Sequence, residues 1–343
     1  MDKSGAGAYI FAKASGSIGK SFTGSRSHLL FEQKSLAEIW TLLFKSPVPL
    51  VPEVLLAEKI EKEAFNKFFK EYVDFVHQYD NPDPVLTDQL CVYEAENLKV
   101  IVSALCNSEQ KIPSITDLGP FAQCKYSAWP DIGEITKGTQ FSWLKQVPDV
   151  HQLKDVGFKL DMQIVRHLWN SLQQEKGEQY DSLLQLFKTE YVLKNIVWAL
   201  RLRIYYKMSK DDIIKKLIYV TDAPNASDPI AAPAIKVLDF PLDEHETWEN
   251  WKYHDYINPH VDGEVWTIDP GWIEKRAKVK LNKIALNVFH QQAMTSASLI
   301  GWYKIKEYEL SCIRTAVESI RLNINPDEAQ GAVGIQSEGG VNG

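Results

Sequence analysis

Tyr93-Glu94-Ala95-Glu96-Asn97-Leu98-Lys99 is the stretch whose pattern returns along the chain. A second copy runs Tyr191-Val192-Leu193-Lys194-Asn195-Ile196-Val197. Alignment on the tyrosine gives a third, Tyr308-Glu309-Leu310-Ser311-Cys312-Ile313-Arg314, with Cys312 where the other two carry Asn. In each copy the tyrosine is followed four residues on by a small or polar residue and then by Leu98, Ile196 or Ile313. Four positions further stand Val102, Leu200 and Val317. That spacing sets the tyrosine, the branched aliphatic and the apolar residue along one helix flank. A unit returning at intervals of roughly a hundred residues is a fold-level signal.

Outward from the first copy, Glu53 to Tyr79 reads as the clearest helix. Leu56, Ile60, Ala64, Phe65, Phe68, Tyr72, Val76 and Tyr79 keep the i, i+3, i+4 rhythm, with charge on the other face. The turn composition Asp80-Asn81-Pro82-Asp83-Pro84 separates it from the helix of the first copy and predicts an antiparallel pair. Upstream, residues 1–7 read as frayed, and Tyr9 to Phe44 is helical until the prolines at 47, 49 and 52. Residues 107–150 read as a connector with one or two short helices. Helices resume at 151–175, 180–207 and 210–220, the last after a Ser209 cap. Six prolines exclude a long helix from 221–271, which holds Trp248, Trp251 and Trp266, with Trp272 just beyond. Asp269-Pro270 reads as a cap with proline at the first helical position. Helical periodicity then continues to Ile324, and the Gly-rich end reads as disordered. Strand signals are short and scattered, so a doubly wound α/β fold is disfavoured. The expectation is an all-α protein of three pseudo-repeated helical subdomains, at 8–106, 107–207 and 208–324, with a disordered tail at 325–343.

The 343 residues are 45% hydrophobic and 24% charged, an ordinary globular composition. A net charge of −7 gives no support to nucleic acid as a partner. Cys91, Cys106, Cys124 and Cys312 form no CxxC pair, which argues against a zinc ribbon or a disulfide framework. No signal peptide or spanning run is legible.

Three stretches could carry chemistry. Ala14-Ser15-Gly16-Ser17-Ile18-Gly19-Lys20-Ser21 fits a relaxed phosphate-loop pattern, and Lys20 would then serve a nucleotide-binding enzyme. The residues before it make a poor strand, so it reads first as a helix start or surface loop. Residues 243–272 bring His245, His254 and His260 near Asp243, Glu244, Glu246, Glu249 and Asp255 among tryptophans. That segment could suit a carbohydrate-active protein, although an ordered, tryptophan-packed loop is the plainer reading. Lys275, Arg276, Lys278 and Lys280 form a basic patch on a helix, suited to lipid head groups or an acidic partner, or simply a solvated face. No nucleophile–base constellation, metal-ligand spacing or dinucleotide loop stands out, so no catalytic residue, cofactor or metal is expected.

The three Tyr-x3-Asn/Cys-Leu/Ile helices resemble the C subunit of archaeal and bacterial A/V-type rotary ATPases, called subunit d in the eukaryotic vacuolar enzyme. Tyr93, Asn97, Leu98 and Lys99, Tyr191, Asn195 and Ile196, and Glu307 to Arg314 carry the likeness. The Tyr9 helix followed by Leu36-Ala37-Glu38-Ile39 also looks like that family's opening. Two features depart from it: the opening holds a single arginine, Arg26, and 221–271 is long. The resemblance implies a funnel-shaped, non-catalytic central-stalk subunit without an active site. It would couple the D- and F-type shaft subunits to the membrane rotor ring, on the cytoplasmic face, in a complex linking ATP synthesis or hydrolysis to proton or sodium transport. On that reading Tyr93, Asn97, Tyr191, Asn195, Tyr308 and Cys312 are structural. Each tyrosine is expected to pack on the neighbouring helix of its own unit, with its hydroxyl on a polar partner.

Overall fold

A computed structural model of the protein describes residues 1–174, 177–221, 224–261 and 263–335. Every regular element among them is a helix. In chain order these are α1 (Lys3–Ile18), α2 (His28–Phe31), α3 (Leu36–Leu43), α4 (Glu53–Val76), α5 (Pro84–Cys106), α6 (Ile132–Thr136) and α7 (Leu153–Gln174). They continue with α8 (Glu178–Ile204), α9 (Lys210–Ile214), α10 (Ala232–Val237), α11 (His245–Glu249), α12 (Pro270–Gln291), α13 (Ser296–Arg321) and α14 (Pro326–Val333).

Local chemistry sets the boundaries. The Asp2 carboxylate accepts from Gly5 N–H at 2.7 Å, and the Met1 ammonium pairs with Asp80 at 2.8 Å. The first residues are therefore pinned, not frayed as expected: capping satisfies the start of α1, and the end of the chain is held by a charge. Pro84 opens α5. Asp269 caps α12 through Gly271 N–H at 2.8 Å, with Pro270 first in the helix, as the sequence predicts. The helix expected at 210–220 stops at Ile214, and the short apolar run at 235–238 belongs mainly to α10.

α13 is the axis of the packing. Residues 296–303 are buried without interruption, which is the signature of a helix enclosed on all sides. It packs against α12, α4, α1, α14, α8, α5, α2 and α3. α4 and α5 do not form the tight antiparallel pair that their short turn predicts. The main partner of α4 is α13 and that of α5 is α7. Contact between α4 and α5 runs through Phe65 and Phe69, whose ring centroids lie 5.6 and 4.6 Å from that of Tyr93, and through the buried Tyr72 hydroxyl, which donates to the Leu86 carbonyl at 2.9 Å.

Three apolar clusters fill the interior. The first joins α1, α4, α5, the connector around Phe141, α7 and the facing ends of α12 and α13. The second joins the later part of α7 and α8 to residues 213–277 and buries Trp248, Trp251 and Trp266. The third gathers residues 22–64 around Cys312, Ile313, Ala316 and Val317 of α13, with Ala329 and Val333 of α14. Residues 326–333, expected in a disordered tail, thus form a helix with a buried side; residues 336–343 of that tail lie outside the described residues. α13 ends at Arg321, before Pro326 is reached, where Asn323 turns left-handed (φ 52°) and Ile324 N–H bonds the Ser319 carbonyl at 2.9 Å; Pro326 instead opens α14, which Asn325 caps through Asp327 N–H at 2.8 Å.

Candidate functional site

The residues of the recurring stretch sit midway along α5, α8 and α13. Leu98, Ile196 and Ile313 are buried on the flank that the spacing predicts. The asparagines act alike. Asn97 Nδ2 donates to the Thr116 carbonyl at 2.8 Å, and its Oδ1 accepts Thr116 N–H at 2.8 Å. Asn195 makes the same two-point clamp on Ile218, at 2.8 and 3.0 Å, and also donates to the Ile230 carbonyl at 3.1 Å. Each holds the irregular segment that follows its own helix, by matching a primary amide to one peptide unit.

In α13 the corresponding residue, Cys312, is fully buried, and burial pushes its thiol up to about 12. It cannot serve as a thiolate near neutral pH. Pinning passes to its neighbours. Tyr308 donates its hydroxyl to the Val333 carbonyl at 2.9 Å, securing α14. Glu309 accepts Phe22 N–H at 2.6 Å. Glu94, at the equivalent place in α5, likewise accepts backbone N–H groups, from Cys124 at 2.8 Å and Gln123 at 3.2 Å, and the Tyr126 hydroxyl at 2.9 Å.

The tyrosines are half-buried. Tyr93 shares a 2.6 Å hydrogen bond with Tyr303 of α13. Tyr191 stacks on Phe187 of its own helix, with the Lys194 ammonium 5.0 Å from the ring centre. Beside them α8 and α13 are joined by ions. Lys304 Nζ lies 3.0 Å from Glu190 Oε2 and 2.8 Å from Glu307. Burial would raise the Glu190 carboxyl, but Lys194 and Lys304 hold it well below the usual carboxylate range. Lys304 is the weightier partner, because its side chain is 12% exposed while that of Lys194 is 56% exposed and screened by water.

The other candidate stretches do not assemble as their alternative readings need. Residues 14–18 lie inside α1 and Gly19 ends it, with Lys20 and Ser21 N–H groups bonded to Ser17 and Ile18 carbonyls. A phosphate loop needs free N–H groups at a helix start, whereas this segment is a helix end. It is therefore neither the phosphate loop nor the helix start or loop expected for it. Trp248 and Trp266 are buried and donate their indole N–H groups to the Pro241 and Asn258 carbonyls, at 2.7 and 3.0 Å. They are core residues and offer no sugar platform, whereas half-buried Trp272 borders a cavity with Glu249 and Asp255. His245, His254 and His260 line one shallow cavity of about 610 Å3, yet no three His, Cys, Asp or Glu among the described residues are placed to hold a metal.

The basic patch divides around α12. Lys275 and Arg276 lie over the Trp272 ring, Lys278 pairs with Glu274 at 3.5 Å, and Lys280 is exposed. Sequence reading missed a different grouping. Lys13, Lys20, Lys45, Lys67 and Lys306 line one cleft of about 550 Å3. Only the spacing of Lys13, within α1, and Lys20, just past its end, hinted at it.

No described helix is long and apolar enough to cross a membrane. Comparison with known proteins agrees with the likeness carried by the recurring helices. An uncharacterized protein of Treponema pallidum (strain Nichols) is 25% identical over 320 residues, spanning 93% of this chain and 94% of its own length. The sequence model of the ATP synthase (C/AC39) subunit family matches residues 11–331, which takes in all three Tyr-x3 helices and α14 almost to its end. The chain belongs to the ATP synthase (C/AC39) subunit family.

Proposed function

We propose that the protein is a non-catalytic central-stalk adaptor of an A/V-type rotary ATPase. It sits on the cytoplasmic face between the shaft subunits and the membrane rotor ring, and it passes torque between ATP turnover and proton or sodium movement. The observation that carries the reading is the match over residues 11–331 to a family of ATP synthase subunits. The use of the polar side chains supports it. Asn97, Asn195, Glu94 and Glu309 bind backbone of their own chain, which suits a part that must transmit force without yielding.

The three helices and the segments they clamp act as three pseudo-repeated units, the third closing on residues 22–64 and α14. Arg276 and Lys280, exposed on one flank of α12, contact an acidic partner surface or lipid head groups, with Lys275 and Lys278 beside them. The test is co-purification. A tagged chain expressed in its own cell and recovered from gently solubilised membranes brings shaft and rotor-ring subunits with it, identified by mass spectrometry. Recovery of the tagged chain without any rotary ATPase subunit overturns the reading.

A further inference from the structure

The lysine-lined cleft lies between α1, α4 and α13, beside the end of α3. Its floor is apolar, with Phe22 and Phe68 buried and Phe44 half-buried at the wall. Around the rim Lys13, Lys20, Lys45 and Lys67 are exposed, and none of them forms an ion pair with a described residue. Lys306 differs, because it bonds Glu309, the carboxylate that also accepts Phe22 N–H. A chain of net charge −7 thus carries a positive rim over an apolar trough, with half-buried Glu71 also on the wall one turn from Lys67.

The shape and chemistry distinguish among anionic occupants. α1 brings its C-terminal end to the cleft at Gly16, Ser17 and Lys20, the negative end of the helix dipole, and the Lys20 and Ser21 N–H groups are taken by the Ser17 and Ile18 carbonyls, which leaves no N–H cradle for a phosphate. The rim is lysine, a set of flexible point charges, and holds no arginine fork of the kind that grips phosphate in two places. Three helices bound a groove that a fourth helix would complete. Gly16 faces it with no atom within 4 Å of where a Cβ would stand, which leaves room for close approach.

We propose that this cleft docks an acidic amphipathic helix of a partner protein. Its apolar face lies on Phe22, Phe44 and Phe68, and its carboxylates meet Lys13, Lys20, Lys45 and Lys67. The proposal deepens the adaptor reading in assuming that a partner protein exists, but its test does not depend on that reading.

The probe is a fluorescent helical peptide of about 20 residues, long enough to be stable, with leucine on one face and glutamate on both flanks. Anisotropy titration with the full-length protein is expected to show saturable binding that weakens with added salt. The double variant Lys20→Gln/Lys67→Gln weakens it about tenfold. Gly16→Leu starts from a position where a Cβ meets no protein atom and projects into the groove, so it abolishes binding, and an unlowered thermal melt shows that the fold survives. Equal affinity for the same peptide with glutamine in place of glutamate overturns the proposal, as does indifference to both variants. Failure of the peptide alongside lysine-dependent binding of ATP with magnesium, or of phosphatidylserine vesicles, overturns it in favour of a phosphate ligand or a membrane. Any of these failures leaves the adaptor reading standing, because that reading is decided by co-purification alone.

Discussion

At the scale of single residues, the asparagines of α5 and α8 are the clearest devices in the molecule. Each amide replaces the pairing that an irregular segment would otherwise take from water, in a setting where an unmade bond is costly. Asn97→Leu keeps much of the bulk but strands Thr116 N–H and its carbonyl. Asn195→Leu strands three backbone groups. Each substitution is expected to cost about 2–4 kcal/mol in a urea titration, Asn195→Leu the more. A loss below about 0.5 kcal/mol would mean that water replaces the amide freely. Asp83 is the ionic counterpart. It is buried and accepts the Tyr180 hydroxyl at 2.9 Å, the Ser296 hydroxyl at 2.6 Å and Lys3 Nζ at 2.8 Å, so it ties the start of α5 to α1, α8 and α13. Burial works against its charge, yet these partners hold its carboxyl below the usual carboxylate range. A depressed folded-state pKa gives stability that is present above the unfolded value of 3.8 and is lost as pH falls through the folded one. Asp83→Asn is therefore expected to cost about 1–3 kcal/mol near pH 7, with the gap to wild type narrowing below about pH 4. Denaturant titrations at several pH values measure that gap, and a gap independent of pH contradicts the assignment.

At the scale of elements, close approach of α12 and α13 depends on one missing side chain. A Cβ on Gly301 would stand 2.9 Å from the Ala285 carbonyl oxygen and 2.9 Å from Phe289 N, both backbone atoms of a helix that cannot move alone. Gly301→Ala is thus expected to destabilise by about 1–3 kcal/mol, despite alanine's better helix propensity. A neutral or stabilising result in a thermal melt would show that the two helices can separate. Elements of this kind were largely legible before the structure. The apolar rhythm of α4 and the Asp269-Pro270 start of α12 follow from local rules, as does the flank shared by Leu98, Ile196 and Ile313. What failed concerned partners. A short turn between α4 and α5 predicts a hairpin, but the choice of neighbour was decided by α13, far along the chain. The clamps have the same character. Recurrence marked Asn97 and Asn195, whereas their targets lie 19 and 23 residues on, in segments without periodicity. The cleft lysines come from four separate segments and had no common signal. Tyr191 stacks on Phe187 of its own helix and also packs against the first and second clusters.

At the scale of the whole molecule, early and late segments of the described chain pack on the same helix, α13. α1 packs on α13, and residues 22–64 share the third apolar cluster with the later half of α13 and with α14. α13 contributes to the first and third clusters, while Leu184 and Tyr191 of α8 touch the first and second. Because these shared helices couple the clusters, the chain should unfold as a cooperative body, and loss at one end should be felt at the other. α14 tests this. It buries Ala329 and Val333, and its Val333 carbonyl accepts the Tyr308 hydroxyl of α13. Truncation after Asn325 removes that burial and leaves Tyr308 without its acceptor, a loss of about 2–4 kcal/mol from apolar area and one hydrogen bond. If the clusters are coupled, the truncated chain melts in a single transition at lower temperature. Trp40 in the third cluster, Trp302 in the first and Trp248 in the second, each retained as a lone fluorescent reporter, then report the same midpoint. A Trp40 signal that melts early while those of Trp248 and Trp302 hold their original midpoints would show that the third cluster unfolds by itself, and that the ends of the chain close on a separable unit.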